Sequence, residues 1–345
     1  MAEVGLMDER FNEDYLVRSP SYSEVMNRTV LPWLEERADT RVVSTFDGHS
    51  LFCQAWKADN SSATVVIVHG FTENALKYAE LICSLLHLGF SVIAYDQRGH
   101  GRSWRADGIP DPSVTHVDHF SDYVRDLHTI YDSFRNTLPD PWFLFAHSMG
   151  GAVASLFLEQ EPDIFRAAVL TSPMIAPSTR GIPVFVASAL SFAAVSAGRG
   201  KRNPFFMHPY AGPEDFSTSC ATDPERFAWY DRIKASDAAF QNSVPSYRWS
   251  LESLRVTGQI LAPGRPERIL CPVLLFSAGN DWSVLPGPQK RFAERLPSGQ
   301  FIPVPLARHE IYRSVNDVLF PWWHEVIGFF NKHLSLQIPE GGSQL

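Results

Sequence analysis

Three side chains far apart in the chain have the types needed for nucleophilic acyl transfer: Ser148, Asp281 and His309. A serine hydroxyl attacks poorly until a base takes its proton, and that base must be oriented by a third group. Ser148 stands in Ala146-His147-Ser148-Met149-Gly150-Gly151, between an apolar strand-like run and a helical one. On such a strand-to-helix turn a serine is pushed out at the strand's carboxyl end, and small residues must flank it because the backbones come close. The first small position is usually glycine; here it is Ala146. Alone, the six residues would also suit a glycine-rich helix start capped by a serine. The other two side chains favour chemistry. The run from Leu274 to Asp281 reads as a strand passing into a loop, with Asp281 just past the strand's end, and His309 follows the strand Phe301–Val304 in the loop before a helix. All three therefore fall on one sheet edge, in the order nucleophile, acid, base.

A tetrahedral intermediate needs two backbone donors for its oxyanion. Met149, directly after the serine, offers one. The loop after Thr64–Val68, His69-Gly70-Phe71-Thr72-Glu73, offers the other through Phe71, with His69 and Glu73 bracing the loop. Other histidines are weaker candidates. The His147 side chain is expected to point away from the serine, and His324 and His333 read as surface residues of the closing helix. His116 and His119 flank Asp118, but no metal-binding spacing completes a site. Glu310 is a poorer acid than Asp281, since a neighbour in sequence rarely reaches back to the ring. Asp96 reads as structural. The run Gly99-His100-Gly101 fails as a dinucleotide fingerprint, because Trp104 stands where the third glycine belongs.

The elements that must hold these residues alternate. Apolar runs at Thr64–Val68, Ser91–Tyr95, Trp142–Ala146 and Ala167–Leu170 are separated by helical patterns at Lys77–Leu88, Phe120–Leu138 and Gly150–Glu159. Strands that are apolar throughout mark a mostly parallel sheet covered on both faces. Two short strands, Arg41–Phe46 and Leu51–Lys57, precede it around the turn Asp47-Gly48. The rhythm stops near Pro173 and resumes at Pro272–Phe276, followed by Pro288–Leu296, Phe301–Val304 and Pro321–Leu334. One sheet interrupted by an insertion explains this better than two domains, since two late strands alone make a marginal sheet. The expected division is an arm over 1–40, a core over 41–174 and 269–334, a cap over 175–268 and a flexible tail over 335–345.

With 345 residues, 45% hydrophobic and 20% charged, the chain can bury a large core and is not disordered. A net charge of −8 argues against nucleic-acid binding. Four cysteines are too few for a disulfide scaffold, and Cys53 and Cys271, in or beside apolar strands, read as buried thiols. No secretory signal is visible at the start, so a cytoplasmic protein is expected. Positions 182–198 are apolar and uncharged, yet at the short limit for a membrane span and interrupted by Pro183. A buried or surface-lying helix is the better reading. The insertion carries 11 Lys+Arg and 8 Asp+Glu, a net +3 against −11 elsewhere, and Arg199, Lys201 and Arg202 follow the apolar run. Such a cap suits transient contact with an anionic membrane surface or a phosphorylated head group; a solvated helix end with cations near its C-terminus explains it as well. Phe185, Phe192, Phe205, Phe206 and Met207 are expected to wall an acyl pocket, unless they form the cap's own small core.

From about Arg41 to Leu334 the chain resembles an α/β-hydrolase of the monoglyceride lipase and bacterial lysophospholipase group, the serine aminopeptidase-like hydrolases. The likeness rests on His69-Gly70, on the run Tyr95-Asp96-Gln97-Arg98-Gly99-His100-Gly101-Arg102-Ser103, on the Ser148 segment, on Asp281 and on His309-Glu310. Lys77-Tyr78-Ala79-Glu80-Leu81 and Leu85–Phe90 are most similar to the bacterial lysophospholipase branch. Phe71-Thr72-Glu73 departs from the Gly-x-Gly-Glu-His form of typical monoglyceride lipases. The resemblance implies an eight-stranded α/β-hydrolase fold with an inserted helical cap that moves, and cofactor-free hydrolysis of acyl esters of lysophospholipid or monoacylglycerol type. An amidase or aminopeptidase using the same triad, and a non-catalytic binding protein on the same fold, are the alternatives. Oligomeric state does not follow from the sequence.

Overall fold

The computed structural model describes residues 9–335. The acidic opening and all of the expected tail after Ser335 lie outside that range. Eight strands form one sheet: β1 Asp39–Ser44, β2 Ser50–Trp56, β3 Ala63–Val68, β4 Phe90–Tyr95, β5 Trp142–His147, β6 Phe165–Thr171, β7 Val273–Asn280 and β8 Gly299–Arg308. Their order across the sheet is β1-β2-β4-β3-β5-β6-β7-β8. Only β2 runs against the rest, because it returns from β1 through a tight turn with Gly48 at φ 82°.

The central strands β3, β4 and β5 are buried at every position, as their unbroken apolar sequences require. Alternate residues face opposite layers. Val65, Ile67, Phe143 and Phe145 pack with helix α1 (Ala79–His87) and the closing helix α8 (Asn316–Leu334). Val66, Val68, Leu144 and Ala146 pack with α2 (Ser121–Phe134), α3 (Met149–Gln160) and α7 (Pro286–Arg295). Cys53 and Cys271 are buried free thiols, as their strand settings imply. His333 is not a surface residue: it is buried edge-on against Phe329, on the inner stripe of α8.

Between β6 and β7 the chain leaves the sheet and builds α4 (Val184–Ala194), α5 (Pro224–Ser236) and α6 (Tyr247–Ile260). α4 packs on α6, and α6 rests on α3. The apolar 182–198 run becomes α4 and a further turn, Val195–Arg199, that Gly198 ends at φ 74°. Among the described residues no helix is long and apolar enough to cross a membrane. The N-terminal segment clamps cap to core. Val17 N–H donates to Glu80 on α1 at 2.9 Å, while Arg226 on α5 donates to Val17 O at 2.6 Å. Trp229 Nε1 on the same helix donates to Asn27 at 2.9 Å.

Candidate active site

β5 ends at His147, and α3 begins one residue after Ser148. Ser148 itself holds φ 51° and ψ −118°, a strained conformation for a residue with a side chain. The turn survives because Gly150 has no Cβ: one placed there would stand 2.2 Å from Val68 O and 2.6 Å from His69 O. Gly151 likewise lies against Pro173. Ala146 fits at the first small position as a fully buried strand residue.

The two other candidates come from the ends of β7 and β8. His309 Nε2 lies 2.8 Å from Ser148 Oγ, and its Nδ1 lies 2.6 Å from Asp281 Oδ2. The second Asp281 oxygen accepts the N–H groups of Ser283 at 2.8 Å and Val284 at 3.1 Å, which fixes the carboxylate plane. Burial resists the charge on Asp281, yet His309 and these donors hold its pKa below the ordinary value. For His309 burial pulls the pKa down, and Asp281 outweighs it, leaving the imidazole above its ordinary value. With Nδ1–H donated to Asp281, Nε2 is free to accept the serine proton.

The loop after β3 folds over Ser148. A Cβ on Gly70 would come within 3.0 Å of the Ser148 Cβ, so glycine is needed for the loop to approach. Glu73 holds the loop shut, accepting from Gly70 N–H at 2.6 Å, Tyr78 at 2.6 Å and Tyr312 at 2.5 Å. Lys77 lies between Glu73 at 3.2 Å and Glu310 at 2.6 Å, and so links this loop to the one that carries His309. Among the described residues, the N–H groups of Phe71 and Met149 have no partner within the chain. His69 braces the same loop as a neutral ring: Nε2 accepts Gln97 N–H at 2.9 Å, so Nδ1–H donates to Gly70 O at 2.8 Å. The Asp96–Ser103 run is scaffolding. Asp96 accepts Ala75 N–H and Arg102 N–H, and Arg98 reaches Asp126 on α2 at 2.6 Å.

Two expectations need correction. The His147 ring does not turn away from the site: it donates toward Thr171 O and lies against the His309 ring, with centroids 4.8 Å apart. Burial drives its pKa down to about 4, so it is a neutral wall. Of the five residues expected to wall an acyl pocket, only two line the cavity over the candidate site. A cavity of about 470 Å³ opens over Ser148 and His309 and is lined by Phe206 and Met207, but Phe185, Phe192 and Phe205 point to solvent. Its apolar wall comes instead from Met174, Ile182, Leu190, Trp249, Leu254 and Trp282. Trp282 was legible as the neighbour of Asp281. Trp249, Ser250, Ser253 and Leu254 share one helical face, a spacing the sequence also displays.

Sheet order, flanking helices and elbow are those of an α/β-hydrolase. A family model described as "Serine aminopeptidase, S33" matches residues 59–315. The chain belongs to that family. It is 32% identical to lysophospholipase L2 of Escherichia coli over 301 residues, which covers 81% of this chain and 84% of the relative. It is 35% identical to human monoglyceride lipase over 141 residues, 40% of this chain and 44% of that one. A structure of a soluble variant of Saccharomyces cerevisiae monoglyceride lipase with a substrate analogue overlays with a TM-score of 0.66 at 18% identity. That match covers 87% of this chain and 97% of the other and shares the fold. Membership and relatives together make the chain a serine hydrolase of carboxylic esters.

Proposed function

We propose that Ser148, His309 and Asp281 are the catalytic triad of an enzyme that hydrolyses single-acyl lipids, of the lysophospholipid or monoacylglycerol class. The observation that carries this reading is the pair of contacts His309 makes, 2.8 Å to the serine hydroxyl and 2.6 Å to the carboxylate. Ser148 Oγ attacks the ester carbonyl while His309 Nε2 takes its proton, and Asp281 stabilises the imidazolium. The N–H groups of Phe71 and Met149 receive the oxyanion. His309 then protonates the leaving alcohol, and water attacks the acyl-serine by the same route, returning fatty acid and free enzyme.

The apolar cavity receives the acyl chain, and the segment 175–268 acts as its cap. An aminopeptidase reading would need an unpaired carboxylate to hold a free amine. Glu73 and Glu310 in the cavity wall are both ion-paired, with Lys77 and Arg313. Around the cap, Val184, Phe185, Leu190, Phe192, Phe205 and Phe206 are exposed apolar side chains. We infer that this patch, with the cations of 199–202, meets the lipid surface from which substrate enters.

The test is a fluorophosphonate label combined with a hydrolysis panel. Label on Ser148, lost in Ser148→Ala, together with turnover of long-chain monoacyl esters over an aminoacyl anilide, is the expected result. An unlabelled serine, or faster cleavage of the anilide, would overturn the reading.

A further inference from the structure

Lysophospholipids and monoacylglycerols differ by one group, an anionic phosphodiester. A cation that stands free at the cavity would discriminate between them by charge. Among the described residues lining it, Arg180 is the one lysine or arginine. Lys77 and Arg313 lie behind the wall and are spent on Glu73 and Glu310. The Arg180 guanidinium has no carboxylate, carbonyl or aromatic partner among the described residues; the residue's one hydrogen bond is backbone, its N–H to Ser178 Oγ at 3.3 Å. A full charge with all five donors unspent thus stands, exposed, at the edge of a mostly apolar cavity.

The backbone holds it there at a cost. Arg180 adopts φ 49° and is followed by Gly181 at φ 88°. Left-handed backbone is uncommon outside Gly, Asn and Asp, and such outliers gather where function over-determines the conformation. The turn closes on itself through Ile182 N–H to Thr179 O at 3.1 Å. It is also latched to the loop that carries Asp281. Ser178 N–H donates to Ser283 O at 2.8 Å, Leu285 N–H donates to Ala176 O at 3.0 Å, and Pro177 bridges Val284. The backbone that carries Arg180 is thereby kept in fixed register with the candidate triad.

We propose that Arg180 is the specificity-determining residue of this site: it takes the phosphate of a lysophospholipid whose ester lies at Ser148 and whose acyl chain fills the cavity. The inference rests on the ester-hydrolase reading above. A guanidinium meets two phosphate oxygens at once through parallel N–H donors, a fit an ammonium does not reproduce. A monoacylglycerol presents a neutral hydroxyl at the same place and leaves the charge without a counter-ion.

The experiment compares kcat/KM for 1-oleoyl-lysophosphatidylglycerol and 1-oleoylglycerol, presented in the same mixed micelles. Arg180→Asn removes the charge while keeping a residue that tolerates left-handed backbone, and Arg180→Gly is the second variant should the first fold poorly. The lysophospholipid-to-monoacylglycerol ratio is expected to fall about tenfold or more in either, the loss of one charge-assisted contact, with Arg180→Lys in between. An unchanged ratio, with p-nitrophenyl butyrate still turned over by the wild type, overturns the role of Arg180 and leaves the hydrolase reading standing. No turnover of any ester by the wild type overturns both. Inorganic phosphate is the control for a free-anion site. If it inhibits lysophospholipid and monoacylglycerol turnover alike, and does so only when Arg180 is present, the lipid-headgroup assignment falls.

Discussion

The imidazole of His309 is pulled in two directions. Burial disfavours its charge, but Asp281 at 2.6 Å outweighs burial and holds the pKa above the ordinary histidine value. In its proposed role of general base His309 works only when neutral, so kcat/KM should fall as pH drops through that raised pKa. The plateau should begin at a higher pH than an unperturbed imidazole, near ~6.5, would give. In Asp281→Asn burial would be opposed only by the charges of Glu310 and Glu73, so the acid limb should move to lower pH while turnover falls about 10⁴-fold. Paired pH–rate profiles check this, and a limb that stays in place would remove Asp281 from its role. The same shift has a stability consequence of opposite sense. A raised folded pKa contributes stability that is complete below the unfolded value and is lost as pH rises through the folded one. The contact that makes the base effective is therefore worth less to the fold where the base is most active. That Ser148, Asp281 and His309 meet was legible in the sequence because each follows a strand, and strand ends on one edge must converge. Which α4 residues line the cavity was not, because α4 is apolar on all sides and its sequence does not say that Ala187, Leu190 and Ser191 face in.

The cap's helices are attached to the core in different ways. α5 is held by Arg226, which is fully buried and ion-paired to Glu80 on α1 at 2.9 Å and to Asp223 at 3.1 Å. It also donates to Val17 O and to Asn316 at the start of α8. Arg313 adds a second tie, donating to the α5 carbonyls of Arg226 and Phe227. α4 has a single buried residue, Ser191, and packs chiefly on α6. Arg226→Met would strand two buried carboxylates, and removing one partner of a buried pair costs about 3–5 kcal/mol. Chemical denaturation should register that loss; a change under ~1 kcal/mol would mean α5 is held by packing alone. This clamp was hidden in the sequence. Its partners, Val17, Glu80, Asp223, Arg226 and Asn316, sit on four separate elements, and nothing local in their spelling links them. The strands, by contrast, announced themselves: a run such as Ala-Thr-Val-Val-Ile-Val over 63–68 has no solvent face to show.

At the scale of the whole molecule, charge and apolar surface are both unevenly spread. The net −8 divides into +3 for positions 175–268 and −11 for the rest. The exposed phenylalanines Phe185, Phe192 and Phe205 belong to the positive part, and none of them lines the cavity. Three large apolar side chains kept in water cost solubility without improving the pocket, which makes sense if they meet a lipid surface. The cations nearby would add attraction to anionic lipid, on the order of 1 kcal/mol each near the surface and weakened by salt. Replacing the three phenylalanines with serine should sharply reduce co-sedimentation with phosphatidylglycerol vesicles and make what remains more salt-sensitive, while p-nitrophenyl butyrate, which needs no bilayer, is hydrolysed as before. Wild-type binding should weaken as salt rises and be lower on phosphatidylcholine vesicles, because only the apolar part of the attraction survives there. Equal sedimentation of wild type and triple variant would show that these side chains do not touch the bilayer, and substrate would then have to reach Ser148 from solution or micelles.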